Sequence, residues 1–183
     1  MTSPSKSLPL WHSASLPAGW EWARVTSHRD ARAAGRLVRR NMKAYWKARG
    51  MRFSLSVFLE RWPEQQSILW RPNHHRVHGV LSWTIKNDHA HLCEFQLDEG
   101  YRGQGVGSAI LLEWLLECYR QGIRMVELRV FRDNPAYRLY TRFGFWALAV
   151  DPDIPGFMTM RCRLDARQVA LYEQPSMPTS LSA

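Results

Sequence analysis

Leu97-Asp98-Glu99-Gly100-Tyr101-Arg102-Gly103-Gln104-Gly105-Val106-Gly107-Ser108 is the stretch on which the reading of this chain turns. A strand-like apolar run, residues 90–97, leads into it. A helical pattern leads out, with Ile110, Leu111, Trp114, Leu115 and Cys118 on one face and Gly122 past its end. Glycines let the backbone approach a ligand closely, and the first-turn N–H groups of the helix, with its dipole, form an anion site. A pyrophosphate suits such a loop; a purely structural helix entry is the alternative. Two familiar glycine motifs do not fit. A P-loop needs a lysine where Val106-Gly107-Ser108 has none, and a dinucleotide fingerprint needs Gly-x-Gly-x-x-Gly, whereas Gly103, Gly105 and Gly107 are evenly spaced. Glu127 stands 20 residues after Gly107, where a ribose-binding acid belongs, so the dinucleotide reading keeps a minor place.

Working outward, Trp20–Thr26 reads as a strand and Ser27–Arg49 as a long amphipathic helix capped by Ser27. A shorter helix, Leu55–Trp62, stops at Pro63. Ser67–Arg71, Arg76–Lys86 and Ala90–Leu97 read as three strands of a meander, with turns at Pro72–Asn73 and Asn87–Asp88. Beyond the glycine loop and its helix, Met125–Phe131 has strand composition, and Asn134–Pro135 opens a helix that runs to Phe143 and stops at Gly144. Phe145–Val150 and Phe157–Leu164 are the last strands. Residues 1–19 and 165–183, rich in Ser and Pro, read as loose tails around one domain, 20–164.

With 183 residues, the chain has room for one domain but not for two catalytic ones. Hydrophobic residues are 45% and charged residues 22%, which excludes a disordered chain, and no apolar run is long enough for a membrane span. The first residues lack a secretory signal, so the expected compartment is the cytoplasm. Cys93, Cys118 and Cys162 are widely spaced among apolar neighbours and read as reduced, mostly buried thiols. His74, His75, His78, His89 and His91 are dense, but without cysteine or carboxylate at ligand spacing they read as strand and loop residues, and no metal is expected. The formal charge is +9, and residues 20–65 carry eleven Lys/Arg against four Asp/Glu. Arg32, Arg36, Arg40, Lys43 and Lys47 recur at helical spacing opposite Ala34, Val38, Met42 and Tyr45. A solvated helix face is favoured there over a nucleic-acid surface.

Two motifs together are more specific than either alone. Arg102-Gly103-Gln104-Gly105-Val106-Gly107 resembles the Arg/Gln-x-x-Gly-x-Gly/Ala signature of the GNAT superfamily of acyl-CoA-dependent N-acetyltransferases. Downstream, Asn134-Pro135-Ala136-Tyr137-Arg138-Leu139-Tyr140-Thr141-Arg142-Phe143-Gly144-Phe145 is similar to that family's Asn-x-x-Ala…Leu-Tyr-x-x-x-Gly-Phe segment. The close resemblance covers residues 90–148. It implies an α/β fold of three layers, with a mixed, mostly antiparallel sheet flanked by helices and splayed between its fourth and fifth strands.

The resemblance also implies roles. The amides of Gln104, Gly105, Val106, Gly107 and Ser108 would hold the pyrophosphate of acetyl-CoA, with Gly103 in the same loop and Arg102 beside it. Leu97 would pair through its backbone with the pantetheine arm, and Asn134 would touch the same arm. The spacing from Asn134 to Tyr140 is one residue shorter than the family's commonest, which leaves Asp133 as an alternative for the capping place. Tyr140 matches the tyrosine that protonates the leaving thiolate, and a phenol with pKa near 10 has the acidity for that task. For the general base, Glu94 comes first, placed by strict alternation on one face with Leu92 and Gln96. His91 comes second, Glu127 third, and a water chain without a single base is an equal alternative. Acceptor specificity is expected from the segment between the first and second strands, with Tyr45, Trp46, Arg49, Phe53, Phe58 and Trp62, and from the loop joining the last two, with Asp151, Asp153, Pro155 and Phe157. The aromatics with Asp151 or Asp153 would suit a cationic amine, or the aromatics are core.

The expected function is thus transfer of an acetyl group from acetyl-CoA to a primary amine, of a small molecule or a peptide, by direct attack in a ternary complex. No metal takes part and no acyl-cysteine forms. A basic nucleic-acid-binding module that retains a glycine loop is the alternative. A membrane is not an expected partner, and a homodimer is left open.

Overall fold

In the computed structural model, which describes residues 22–24, 27–71 and 76–173, seven strands form one sheet. They are β1 (Trp22–Arg24), β2 (Gln66–Trp70), β3 (Gly79–Lys86), β4 (His89–Leu97), β5 (Met125–Phe131), β6 (Trp146–Val150) and β7 (Phe157–Arg163). The order across the sheet is β1-β2-β3-β4-β5-β7-β6. Every neighbouring pair is antiparallel except β4 and β5, whose parallel pairing requires a crossover. That crossover is the glycine loop and helix α3 (Val106–Arg120).

Periodicity explains the layers. Helix α1 (His28–Lys47) starts where Ser27 Oγ accepts the Asp30 N–H, and buries Ala34, Leu37 and Val38. With α2 (Leu55–Arg61), it packs on Leu69 and Val80 of the sheet. On the opposite face α3 buries the expected Leu111, Trp114, Leu115 and Cys118 against Leu92, Val126 and Leu128, and α4 (Ala136–Arg142) adds Tyr140. The sheet therefore lies between two helical layers, as the resemblance implies. The turn at Asn87–Asp88 forms with Asn87 in the left-handed region (φ 57°), and Gly122 (φ 84°) ends α3.

One boundary needs correcting. The reading of 165–183 as a loose tail fails at its start, because Ala166–Tyr172 forms a further helix, α5, capped by Asp165 Oδ1 accepting the Gln168 N–H. Val169 and Tyr172 are buried, and the Tyr172 hydroxyl donates to the Phe143 carbonyl at 2.7 Å. Two inward side chains suffice to dock a two-turn helix, but they are too few to register as a periodic pattern. The packed domain thus reaches at least Tyr172. Residues 1–19, the turn at Pro72–Asn73, His74, His75 and the end of the C-terminal segment lie outside the described residues.

Candidate active site

Strands β4 and β5 pair only at their beginnings, His89–Leu92 against Met125–Leu128. Beyond those residues, Cys93–Leu97 and Arg129–Phe131 part, which is the splay the resemblance implies. The start of α3 and α4 border the gap on one side, and Asn41, Met42, Tyr45 and Trp46 of α1 on the other. The result is a cleft of about 430 Å³.

A bulge decides what faces it. Ser82 of β3 stands opposite Glu94 and the next residue, Trp83, stands opposite Leu92, so Cys93 is an extra residue in β4. Leu92 lies in the core under α3, and Phe95 and Leu97 pack on Val106 and Ile110 of the same helix. Gln96 turns the other way, where Asn41 Nδ2 of α1 donates to its Oε1 at 3.1 Å. Gln96 Nε2 in turn approaches Glu94 Oε2 at 3.5 Å. The strict alternation that groups Glu94 with Leu92 is therefore overturned: the bulge moves Glu94 and Gln96 to the α1 face.

Glu94 and Tyr140 line the same cleft. Burial pushes the Glu94 carboxyl up to about 7, only partly offset by the Gln96 amide. Tyr140 is 5% exposed, its ring tilted on Phe145 with centroids 5.6 Å apart. Burial raises its phenol well above the usual value, and the Glu94 charge is near enough to add to the shift. Cys93 also lines the cleft, but burial pushes its thiol up to about 11, so it offers no activated thiolate. His91 sits on the paired half of β4 opposite Glu127, with Nδ1 4.0 Å from Oε1. Burial lowers its pKa against the pull of Glu127. Glu127 itself accepts two hydrogen bonds from Arg161, at 2.8 and 3.3 Å. Neither His91 nor Glu127 lines the cleft.

The glycine loop has the properties an anion needs. Gly103 (φ 70°) and Gly105 (φ 78°) are both left-handed, and Gly105 starts α3 without any side-chain cap. The contrast with α1, α2 and α5 is direct, since Ser27, Ser54 and Asp165 each place an oxygen on a first-turn amide. The N-cap of α3 offers the first-turn amides no side-chain oxygen. Gly107 faces the gap: a Cβ there would lie 3.5 Å from Leu97, 3.7 Å from Leu139 and 3.9 Å from Phe95. Val106 and Ser108 are buried, while Gln104 is exposed and donates to the Gly100 carbonyl at 2.8 Å. Arg102 Nε donates to the Leu97 carbonyl at 3.0 Å, and Asn41 Nδ2 reaches the same oxygen at 2.9 Å. Those two donors hold the end of β4 in place beside the loop. Asn134 Oδ1 accepts the Ala136 N–H at 2.9 Å and so caps α4, whereas Asp133 is committed to Arg49.

At the far end of the cleft, Tyr45 stacks on Phe131 (5.9 Å) and Phe131 packs on Phe157 (4.7 Å). Trp46, another wall, stacks on Phe53 (5.1 Å), whereas Phe58 and Trp62 belong to the core. Asp151 is spent on its own loop: it pairs with Arg129 and accepts the N–H groups of Asp153 and Ile154 at 3.0 and 2.9 Å. Glu94 is the one carboxylate lining the cleft among the described residues, beside Arg102, Arg129 and Arg142.

One residue escapes the sequence reading. Asn41 interrupts the inward apolar stripe between Val38 and Tyr45, and a polar residue on that face is the signal that could have found it. Arg49 joins three segments: it donates to Pro155 O (2.7 Å) and Tyr45 O (3.1 Å), pairs with Asp133 (2.8 Å) and lies 4.2 Å over the Phe131 ring. Arg49 is among the residues expected from the sequence to set acceptor specificity, but these contacts are to residues too distant along the chain to leave a local pattern.

A parallel pair that parts beside an uncapped helix start makes an open cleft within a three-layer α/β fold, and comparison gives that fold a family. Residues 28–145 match the model of the acetyltransferase (GNAT) family, and the chain belongs to it. A spermine/spermidine N(1)-acetyltransferase of Bacillus subtilis strain 168 is 39% identical over 64 residues, which span 33% of this chain and 41% of that relative. The chain thus matches less than half the length of that protein. Among solved structures, PaiA N-acetyltransferase from Thermoplasma acidophilum in complex with coenzyme A superposes with a TM-score of 0.62 at 18% identity, covering 79% of this chain and 99% of that one. Ard1 from Thermoplasma volcanium gives 0.64 at 22% identity, with 80% and 98% covered. These likenesses establish the fold.

Proposed function

We propose that this chain transfers an acetyl group from acetyl-CoA to a primary amine by direct attack within a ternary complex. The observation that carries the reading is one cleft in which the parting of β4 and β5 brings together Glu94, Tyr140 and the uncapped start of α3. The neighbour bound to coenzyme A supports the choice of donor. Acetyl-CoA supplies an activated thioester. The amides of residues 104–108 bind its pyrophosphate with Arg102 alongside, Asn134 and the open edge of β4 at Leu97 orient the arm, and Gly107 leaves room for it.

Glu94 takes the proton that the attacking amine must lose, and a carboxyl held near neutrality by burial suits that task. Tyr140 keeps its proton throughout the working range and donates it to the sulfur as the carbon–sulfur bond breaks. Burial disfavours the free thiolate as it disfavours the phenolate, so the departing sulfur is driven to take a proton. His91, outside the cleft lining, is the weaker base. Among the described residues one carboxylate lines the cleft beside three arginines, which favours an acceptor with a single amine over a polycation.

Two measurements test the reading. Acetyl-CoA at ~100 times its dissociation constant adds about 2.7 kcal/mol of stability, a Tm rise of several degrees. No shift would return the chain to the alternative of a basic nucleic-acid-binding module. Glu94→Gln lowers kcat/KM for an amine by ~10²–10⁴-fold. Because the base works only when deprotonated, wild-type activity rises as pH passes upward through about 7, and the variant lacks that limb. A variant with the wild-type profile would remove Glu94 from the mechanism.

A further inference from the structure

Helix α1 has two faces with different tasks. Its inner face ends in the cleft residues Asn41, Met42, Tyr45 and Trp46. Its outer face carries seven Lys/Arg, from Arg29 to Lys47, every one of them exposed. At 3.6 residues per turn these seven fall within an arc of ~100°, and the row they form is about 27 Å long. The acid within the helix, Asp30, points inward to Arg71.

Of the seven, only Arg40 pairs with a carboxylate among the described residues, and that carboxylate, Asp98, already serves Arg76 (3.5 Å) and His78 (3.0 Å). Like charges three and four apart destabilise a helix, so a solvated face would do better with acids interspersed. A row this uniform is electrostatically incomplete and attracts a partner with regularly spaced negative charge.

We propose that the outer face of α1 docks a nucleic-acid phosphodiester backbone. Five of the seven are arginines, whose planar fork matches phosphate oxygens in pairs, and their spacing of about one helical turn presents a cation at each ~5.4 Å step along the row. The helix is packed on the sheet, so the contact is made along a strand's backbone and not by insertion into a groove. Sequence alone favours a solvated face; the single arc and the missing carboxylates reverse that preference. Because the inner face of the same helix lines the cleft, an amine carried close to RNA or DNA arrives within one helix diameter of its mouth, ~10–12 Å. The docking stands independently of the acetyl-transfer reading.

The test uses the full chain and a labelled 20-nucleotide single strand of RNA, the same sequence as DNA, and a polyglutamate of matched length, with binding followed by fluorescence anisotropy. Affinity for a nucleic acid should fall by ~10²–10³-fold between 50 and 200 mM salt, as about five neutralised phosphates require. A quadruple variant, Arg32→Gln, Arg36→Gln, Arg39→Gln and Lys43→Gln, should bind at least tenfold more weakly and with a shallower salt slope, while its acetyl-CoA thermal shift stays that of the wild type. Tighter binding of RNA or of DNA tells which source the surface meets. Undiminished affinity in the variant overturns the proposal, as does polyglutamate binding as tightly as nucleic acid, which would mark an acidic protein partner. Loss of the acetyl-CoA shift in a folded variant also overturns it, because the row would then belong to the donor site.

Discussion

The first halves of β4 and β5 and their second halves are continuous strands that do opposite things. Ala90 and Leu92 face Val126 and Leu128 across a parallel ladder, all four side chains buried. From Cys93 and Arg129 onward the strands have separated, and Glu94, Gln96, Arg129 and Phe131 border open space. The closed half satisfies its backbone internally. The open half leaves an edge that would be a liability in a solvent-facing strand, and here it lines the cleft, where the proposed donor arm would take over the pairing. A bulge at Cys93 marks the change, since it turns the polar side chains to the α1 face just where the partner strand leaves.

The sharpest way to break this contrast is to disarm the open half without touching the closed one. Tyr140→Phe removes the hydroxyl and keeps the ring on Phe145. Its kcat should fall by ~10²–10⁴-fold with little change in acetyl-CoA affinity, as steady-state kinetics and binding together will show. A donor with a more acidic thiol needs less protonation and should shrink the deficit. Full activity on a verified acceptor would reduce Tyr140 to packing, and a loss confined to affinity would make it a contact of the donor.

The converse experiment strikes the closed half. Leu128 is 1% exposed and lies in the core that holds β4 to β5. Leu128→Ala should cost about 2–5 kcal/mol in chemical denaturation, the usual range for a buried leucine. Because the splay is anchored by that ladder, the loosened half should also weaken acetyl-CoA binding. A variant that loses stability at the lower end of the range and keeps its affinity would show that α3 and α4 hold the gap open without help.

The closed half and the helices were largely legible in the sequence, because local patterns determine them. The strand composition of Met125–Phe131 matches the observed bounds of β5, and Ser27 and Gly122 punctuate α1 and α3 as expected. The open half was legible only in part. The glycine loop and Tyr140 carry motifs, but the bulge adds one residue with no compositional mark, so the face of Glu94 follows from pairing to β3 alone. Arg49, named in the sequence for its segment alone, ties one end of the cleft through partners 84 and 106 residues away, and no window along the chain contains them together. Helix α5 was missed for the opposite reason: it is local, but its inward side chains, Val169 and Tyr172, are too few to display a period.

The finest test of the contrast is a single methyl group. Gly107 lies in the first turn of α3 with ordinary helical φ, so alanine is allowed there, and its Cβ would meet Leu97, Leu139 and Phe95 at 3.5–3.9 Å, normal contact distances. The folded protein should accept Gly107→Ala and even gain a few tenths of a kcal/mol, since alanine loses less backbone entropy than glycine in a helix. The same methyl projects between the walls of the gap, where the proposed reading puts the donor's arm. Acetyl-CoA binding should therefore weaken by about tenfold, or 1.4 kcal/mol, while Tm without ligand holds or rises. Opposite signs in the two measurements are what a gap shaped for a ligand requires. If affinity and stability fall together, Gly107 serves the packing of α3, and if neither moves, the arm runs elsewhere along the open edge of β4.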